Sequence, residues 1–310
     1  MSPSAPRRAA SPRQEVFGSV LSALMAVQFA VVVILGKQVQ AGAKPFPMLA
    51  MRFWGQTLIL VTALLVLRRP LVPARGERLP LVLAGLIGYG TESGLYFSAL
   101  NHGKAGAVTL LFYTYPVWVM LVTIVLDRRP PARALFTALA LALGGSVIVI
   151  VGGGDVEVQP LGIALALGTS VAYTAYLMTT DRLVTKTDPV TAATWLGAGA
   201  ATAHVVFSFA FRADVVPGPE DWLPLVGMAV FSAGAFAAML WGLQLVGAVR
   251  NAIIGVLEPL TVALLAAVFL TEPITASTAV GGVAILAGAI LATLVRTTKG
   301  REPPAEAPVV

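Results

Sequence analysis

The sequence contains no cysteine, so disulfides and thiolate metal sites are excluded and the redox compartment cannot be inferred. It has only two histidines, His102 and His204, too few for a histidine metal centre, and no metal or cofactor is expected. Charge is equally scarce: 12% of the 310 residues are charged, against about 25% in an ordinary soluble domain, and the mean hydropathy is +0.84. Such a chain has too little polar surface to dissolve on its own. No Ser/His/Asp set, H-E-x-x-H motif or pair of catalytic carboxylates at one depth appears, which argues against an enzyme.

What the chain has instead is apolar length, 57% of its residues. A bilayer core of about 30 Å takes about 20 helical residues, and runs of that kind occur at 16–35, 46–67, 79–100, 105–126, 134–151, 161–180, 190–211, 222–246, 252–270 and 275–295. The expected fold is therefore an all-α membrane protein of ten transmembrane helices. The N-terminal arm, 1–15, carries arginines ahead of an apolar run, but that run has no convincing small-residue cleavage site and reads as a retained span. The net charge of +6 and pI near 9.9 come from basic residues spread over short connections rather than gathered on a soluble face, so no nucleic-acid partner is expected. With the N-terminus inside, sixteen of the 21 lysines and arginines fall on the cytoplasmic side, Lys37, Lys44, Lys104 and Arg212 fall outside, and Arg52 lies within a span. That bias predicts an inner (plasma) membrane protein with both termini cytoplasmic.

The chain also repeats itself. GSVLSALMAVQFAVVVILGKQV from Gly18 aligns with GIALALGTSVAYTAYLMTTDRLV from Gly162, and Pro45 pairs with Pro189 at the same offset of 144. Pro116 is followed fourteen residues later by Pro130, as Pro259 is by Pro273. The expected organisation is a disordered arm (1–15), a first five-helix repeat (16–152), an extracytoplasmic linker (153–159), a second repeat (160–296) and a disordered tail (297–310). Five spans is an odd number, so the second repeat enters the membrane inverted, an arrangement associated with alternating access around a midplane site.

The stretch 88–125 organises the rest, because it puts Glu92, Pro116 and four tyrosines into two spans that lipid alone would not tolerate. Tyr89, Glu92, Ser93 and Tyr96 fall at i, i+3, i+4 and i+7, one stripe of a helix, and Thr109, Phe112, Tyr113 and Pro116 repeat the pattern on the next. Glu92 and Glu258 are acids within spans and Arg52 is a base so placed, each costly at membrane depth unless paired or hydrated. Arg52 and Glu92 lie at similar depth and could meet as a salt bridge. The candidate substrate-binding set is Tyr89, Glu92, Tyr96, Tyr113, Tyr173, Tyr176, Trp241, Gln244 and Glu258, with Arg52, Pro116 and Pro259 as gating or structural positions. Each also has a plain structural reading: tyrosines as packing or interface residues, Gln244 as interhelical glue, His204 as a packing histidine.

The segment GLQLVGAVRNAIIGVLEPLTVALLAAVFLTEPIT, with Glu258-Pro259 and Thr271 to Pro273, resembles the closing signature of EamA-type carriers of the drug/metabolite transporter superfamily. Arg52, LYFSAL from Leu95 and Pro116 resemble the first repeat, although Asp127 stands where that repeat often has a glutamate. The resemblance, which extends to YddG-like amino-acid exporters, implies a secondary transporter exporting small metabolites, amino acids above all, through a cavity between spans 3, 4, 8 and 9 completed by 1 and 6. Partners are then a small-molecule substrate and the lipid bilayer. Proton antiport and facilitated exchange are both open, as are monomer and homodimer. The alternatives are a proton-coupled multidrug exporter of hydrophobic cations and a non-transporting accessory protein.

Overall fold

The computed structural model describes residues 11–39, 45–103, 105–128, 130–152, 157–213, 218–269 and 274–295. The expected arm (apart from 11–15), tail, much of the linker, Lys44, Lys104 and the Thr271 to Pro273 motif lie outside the described residues. The described residues form helices joined by short turns: α1 (Pro12–Val39), α2 (Phe46–Val66), α3 (Arg78–Leu83), a π-helical turn (Ala84–Tyr89), α4 (Gly90–Ala99), α5 (Ala105–Phe112), α6 (Tyr115–Asp127), α7 (Arg133–Gly152), α8 (Pro160–Leu183), α9 (Pro189–Ala210), α10 (Trp222–Val246), α11 (Ala248–Gly255), α12 (Leu257–Phe269) and α13 (Ala276–Leu294). They make ten spans in two inverted five-helix repeats. Nine are long, apolar helical stretches among the described residues. The remaining one, α3 to α4, is divided by the π-turn.

The repeat is visible in the packing. α2 lies against its own counterpart α9, and α7 against its counterpart α13; α1 packs on α10, and the exchanged pair, α8 with α4, packs likewise. Arg68 (φ 51°) and Arg212 (φ 46°), one repeat apart, both take the left-handed conformation where α2 and α9 end. Small residues allow the closest approaches, as helices in lipid gain little from apolar burial against one another. A Cβ on Gly145 of α7 would stand 2.5 Å from the Gly281 carbonyl oxygen of α13, and one on Gly281 would stand 2.5 Å from that of Gly145. On the outside, Phe209 (81% exposed) and Leu223 (83%) present apolar surface to the bilayer.

Two expected continuous spans are broken. The fourth stops at Phe112 and restarts as α6; the ninth starts earlier than expected, at Ala248, and restarts after Val256 as α12. Pro116 and Pro259 stand in the first turn of the second piece in each case. A proline there lacks only an N–H that would have had no intrahelical partner, so the break and the residue suit each other.

Connections pair within faces. Gly103 bridges Val158, and the Gln159 N–H donates to the His102 carbonyl at 2.8 Å, joining the connections that follow α4 and precede α8. On the other, arginine-rich face, buried Arg250 reaches Glu15 at 3.2 Å near the start of α1 and the Thr293 carbonyl at 2.9 Å near the end of α13. Both ends of the described chain therefore lie on that one face.

Candidate functional site

A cavity of about 70 Å³ opens between the repeats, lined by Met25, Phe29, Val32 and Val33 of α1, Arg52 of α2, Tyr89, Glu92, Ser93, Tyr96 and Phe97 of the third span, Phe112, Tyr115, Tyr173 and Glu258. At about 10–15 Å³ per water-sized sphere this holds roughly five, the scale of a small organic solute. Arg52 lies in the second turn of α2 and Tyr96 in the last turn of α4, so the cavity sits between the midplane and the face away from the arginines.

Its charged groups do not pair with one another. Arg52, 4% exposed, donates from Nε to Ser232 Oγ of α10 at 2.7 Å, and its guanidinium carbon lies 4.8 Å from the centre of the Phe53 ring. The expected Arg52–Glu92 salt bridge is absent among the described residues: α10 holds the guanidinium instead. Glu92 is 6% exposed and its Oε2 has no hydrogen-bond partner among the described residues. Glu258 enters from α12 where Pro259 opens the span. Behind Glu92, Ser93 Oγ meets His204 Nε2 at 2.8 Å, and the His204 ring stacks on Phe53 at 5.6 Å, so this histidine packs behind the wall.

The aromatic wall is continuous. Tyr89 meets Tyr176 at 5.2 Å and Phe236 at 4.7 Å; Tyr173 meets Tyr115 at 4.7 Å and Phe112 at 5.5 Å. The Tyr96 hydroxyl is shared with Thr109 at 3.0 Å, and Tyr115 donates to the Ala252 carbonyl at 3.3 Å across the two broken spans. Tyr113 and Tyr176 are buried behind the lining, Tyr113 beside Glu258. Of the residues singled out from sequence, the structure brings Arg52, Tyr89, Glu92, Tyr96, Tyr173 and Glu258 into the lining. Trp241 and Gln244 are elsewhere, and α10 lies behind the lining through Ser232 and Phe236 rather than in it. Tyr115, one of the four tyrosines of 88–125, was not in the candidate binding set, and span 1 was expected to complete the cavity without named residues; an unbroken apolar helix carries no mark of which stripe faces a cavity.

Trp241 and Gln244 belong to the arginine-rich end. Trp241 packs edge-on against Phe17 at 5.8 Å and lies under Arg69, which also pairs with Asp188 at 2.8 Å. Asp188 caps α9 by accepting from the Val190 and Thr191 N–H groups at 3.0 and 3.2 Å. Gln244 donates to the Thr187 carbonyl at 3.1 Å. At the centre is Glu77, which accepts the backbone N–H groups of Thr185, Lys186 and Thr187, all at 2.9 Å, and the Thr187 hydroxyl at 2.6 Å. Burial pushes the Glu77 carboxyl up, but these donors outweigh it and hold it below the ordinary carboxylate value. Arg182 adds a pair with Asp127 at 2.7 Å.

The profile of the EamA-like transporter family matches residues 16–151 and again 160–294. An uncharacterized transporter of Synechocystis is 26% identical over 58% of this chain and 56% of its own length, so the match spans little more than half of that relative. An uncharacterized transporter of Archaeoglobus fulgidus is 25% identical over 64% of this chain and 70% of its own. The uncharacterized transporter YcbK of Bacillus subtilis is 26% identical over 75% and 78%. One solved crystal structure superposes with a TM-score of 0.74 at 21% identity, covering 90% of this chain and 97% of the other, a likeness of fold.

Proposed function

Given that the chain belongs to the EamA-like transporter family, matched once by each of its halves, we propose that it is a secondary carrier exporting small metabolites, amino acids foremost, across the inner membrane by alternating access. The observation that carries this reading is the cavity itself: Arg52, Glu92 and Glu258 stand in it with an aromatic wall, between two inverted repeats. Buried charges that make no direct ion pair are costly in a membrane, and a solute bound there would offset that cost.

The faces differ in a way that fits one half of a transport cycle. Glu77, Asp188 and Gln244 tie the arginine-rich end together, while the cavity lies toward the opposite end. In this reading the arginine-rich end is cytoplasmic, and the state is closed inward. In this reading the two repeats are 16–152 and 160–296, around a short linker.

The test is counterflow in proteoliposomes loaded with unlabelled amino acids and supplied with labelled ones. Accumulation above protein-free vesicles supports the carrier; none for any amino acid tried rejects amino acids as the substrate class. A second reading, proton-coupled export of hydrophobic cations, draws on the two carboxylates Glu92 and Glu258. It requires uptake of a lipophilic cation into proton-loaded vesicles, lost in both Glu92→Gln and Glu258→Gln.

A further inference from the structure

We propose that Arg52 and Glu92 are the two poles of a site for a compact zwitterion, the guanidinium receiving its anionic group and the free Glu92 oxygen its ammonium. This rests on the cavity being the transport site. The argument starts from what each group has already committed. Arg52 spends Nε on Ser232, has Phe53 beside its guanidinium carbon and has the Tyr89 hydroxyl within hydrogen-bonding reach; no carboxylate of the described residues pairs with it. A guanidinium fastened at Nε presents its terminal nitrogens as a fork, the geometry that takes a carboxylate through two parallel bonds. Glu92 lines the same cavity with Oε2 buried and unpartnered, and a carboxylate oxygen only accepts, so what completes it is a donor, best a charged one.

The alternatives leave more unpaired. A monovalent cation on Glu92 would offset the second carboxylate, Glu258, but would give the guanidinium's terminal nitrogens no acceptor. A phosphate or dicarboxylate on Arg52 would bring negative charge into a cavity already holding Glu92 and Glu258. A molecule with one charge of each sign satisfies both poles together, and Phe29, Val32, Phe97 and Phe112 leave an apolar wall for its side chain. Ser232 thereby becomes a positioning residue: it keeps the fork from swinging across to Glu92, which would close the two poles on each other.

The experiment compares three molecules on the wild-type protein: leucine, its decarboxylated analogue isopentylamine and its deaminated analogue 4-methylpentanoate, with alanine as a smaller zwitterion. Binding is read by isothermal calorimetry and thermal shift in detergent. Leucine or alanine is expected to bind, and each single-charge analogue to bind at least about tenfold more weakly, the scale of one charged hydrogen-bonded contact. Arg52→Gln should then abolish the preference over the amine, and Glu92→Gln the preference over the acid. The wild-type comparison needs no variant to fold. If isopentylamine binds as tightly as leucine, or if neither zwitterion binds, the proposal is overturned. Counterflow separates this from the carrier reading: transport of some solute without zwitterion preference sinks the poles and leaves the carrier, whereas charge-dependent binding without transport does the reverse.

Discussion

The Glu77 carboxylate and Thr187 meet twice, at 2.6 Å through the hydroxyl and 2.9 Å through the backbone N–H, fastening two connections 110 residues apart. Those connections follow α2 and α8, so one acid joins the two repeats at the arginine-rich end.

A carboxyl whose pKa falls on folding adds stability above its unfolded value, about 4.3, and that stability is lost as pH drops through the lower folded value. The wild-type unfolding temperature should therefore hold level above about pH 5 and decline toward acid. Glu77→Gln should be less stable at neutral pH, by about 2 kcal/mol, and should show a shallower acid decline. Identical slopes in thermal scans from pH 3 to 7 would remove Glu77 from this account.

If the same acid holds the arginine-rich end closed during transport, weakening it should close the cavity side more often. The chain has no cysteine, so a cysteine introduced at Val32 reports on the cavity wall without background. An impermeant maleimide added from the cavity side should label it at least about threefold more slowly in Glu77→Gln. An unchanged rate would make the Glu77 contacts a static brace.

Neighbouring glycines in α7 should behave oppositely. A Cβ at Gly145 meets the Gly281 oxygen at 2.5 Å, while one at Gly144 meets nothing within 4 Å. Gly145→Ala should force α7 from α13 and lower the unfolding temperature by several degrees, a loss of about 1–3 kcal/mol. Gly144→Ala should be neutral or slightly stabilising, by up to about 1 kcal/mol. Thermal shift on the two purified variants decides it.

Pro259 stands in the first turn of α12, after an existing break, so Pro259→Ala should cost under about 1 kcal/mol, far below what proline costs inside an intact helix. Fluorescence-detected size exclusion after heating would reveal it; a large loss would mean the ring itself packs a contact that alanine cannot replace.

The number of spans and their inversion were legible because a bilayer imposes length and apolarity on each span, and a repeated insertion leaves a repeated pattern; the breaks in the fourth and ninth spans were not, although Pro116 and Pro259 mark where they fall. Helical spacing also placed Tyr89, Glu92 and Tyr96 on one stripe correctly, since i, i+3, i+4 and i+7 share a face in any α-helix. Yet Trp241 and Gln244 share the same polar and aromatic character and went to the arginine-rich end, against Phe17, Arg69 and Thr187. Arg52 found Ser232 rather than Glu92.

The amino-acid sequence by itself determined that this chain lives in a bilayer as two inverted sets of five helices, because hydrophobicity and its period are local properties. Only the tertiary structure decided which buried polar groups meet, which stand open to the cavity and which brace the far end. Periodicity assigns a side chain to a face of its own helix, but its partner is chosen by the rotation and depth of the neighbouring helix.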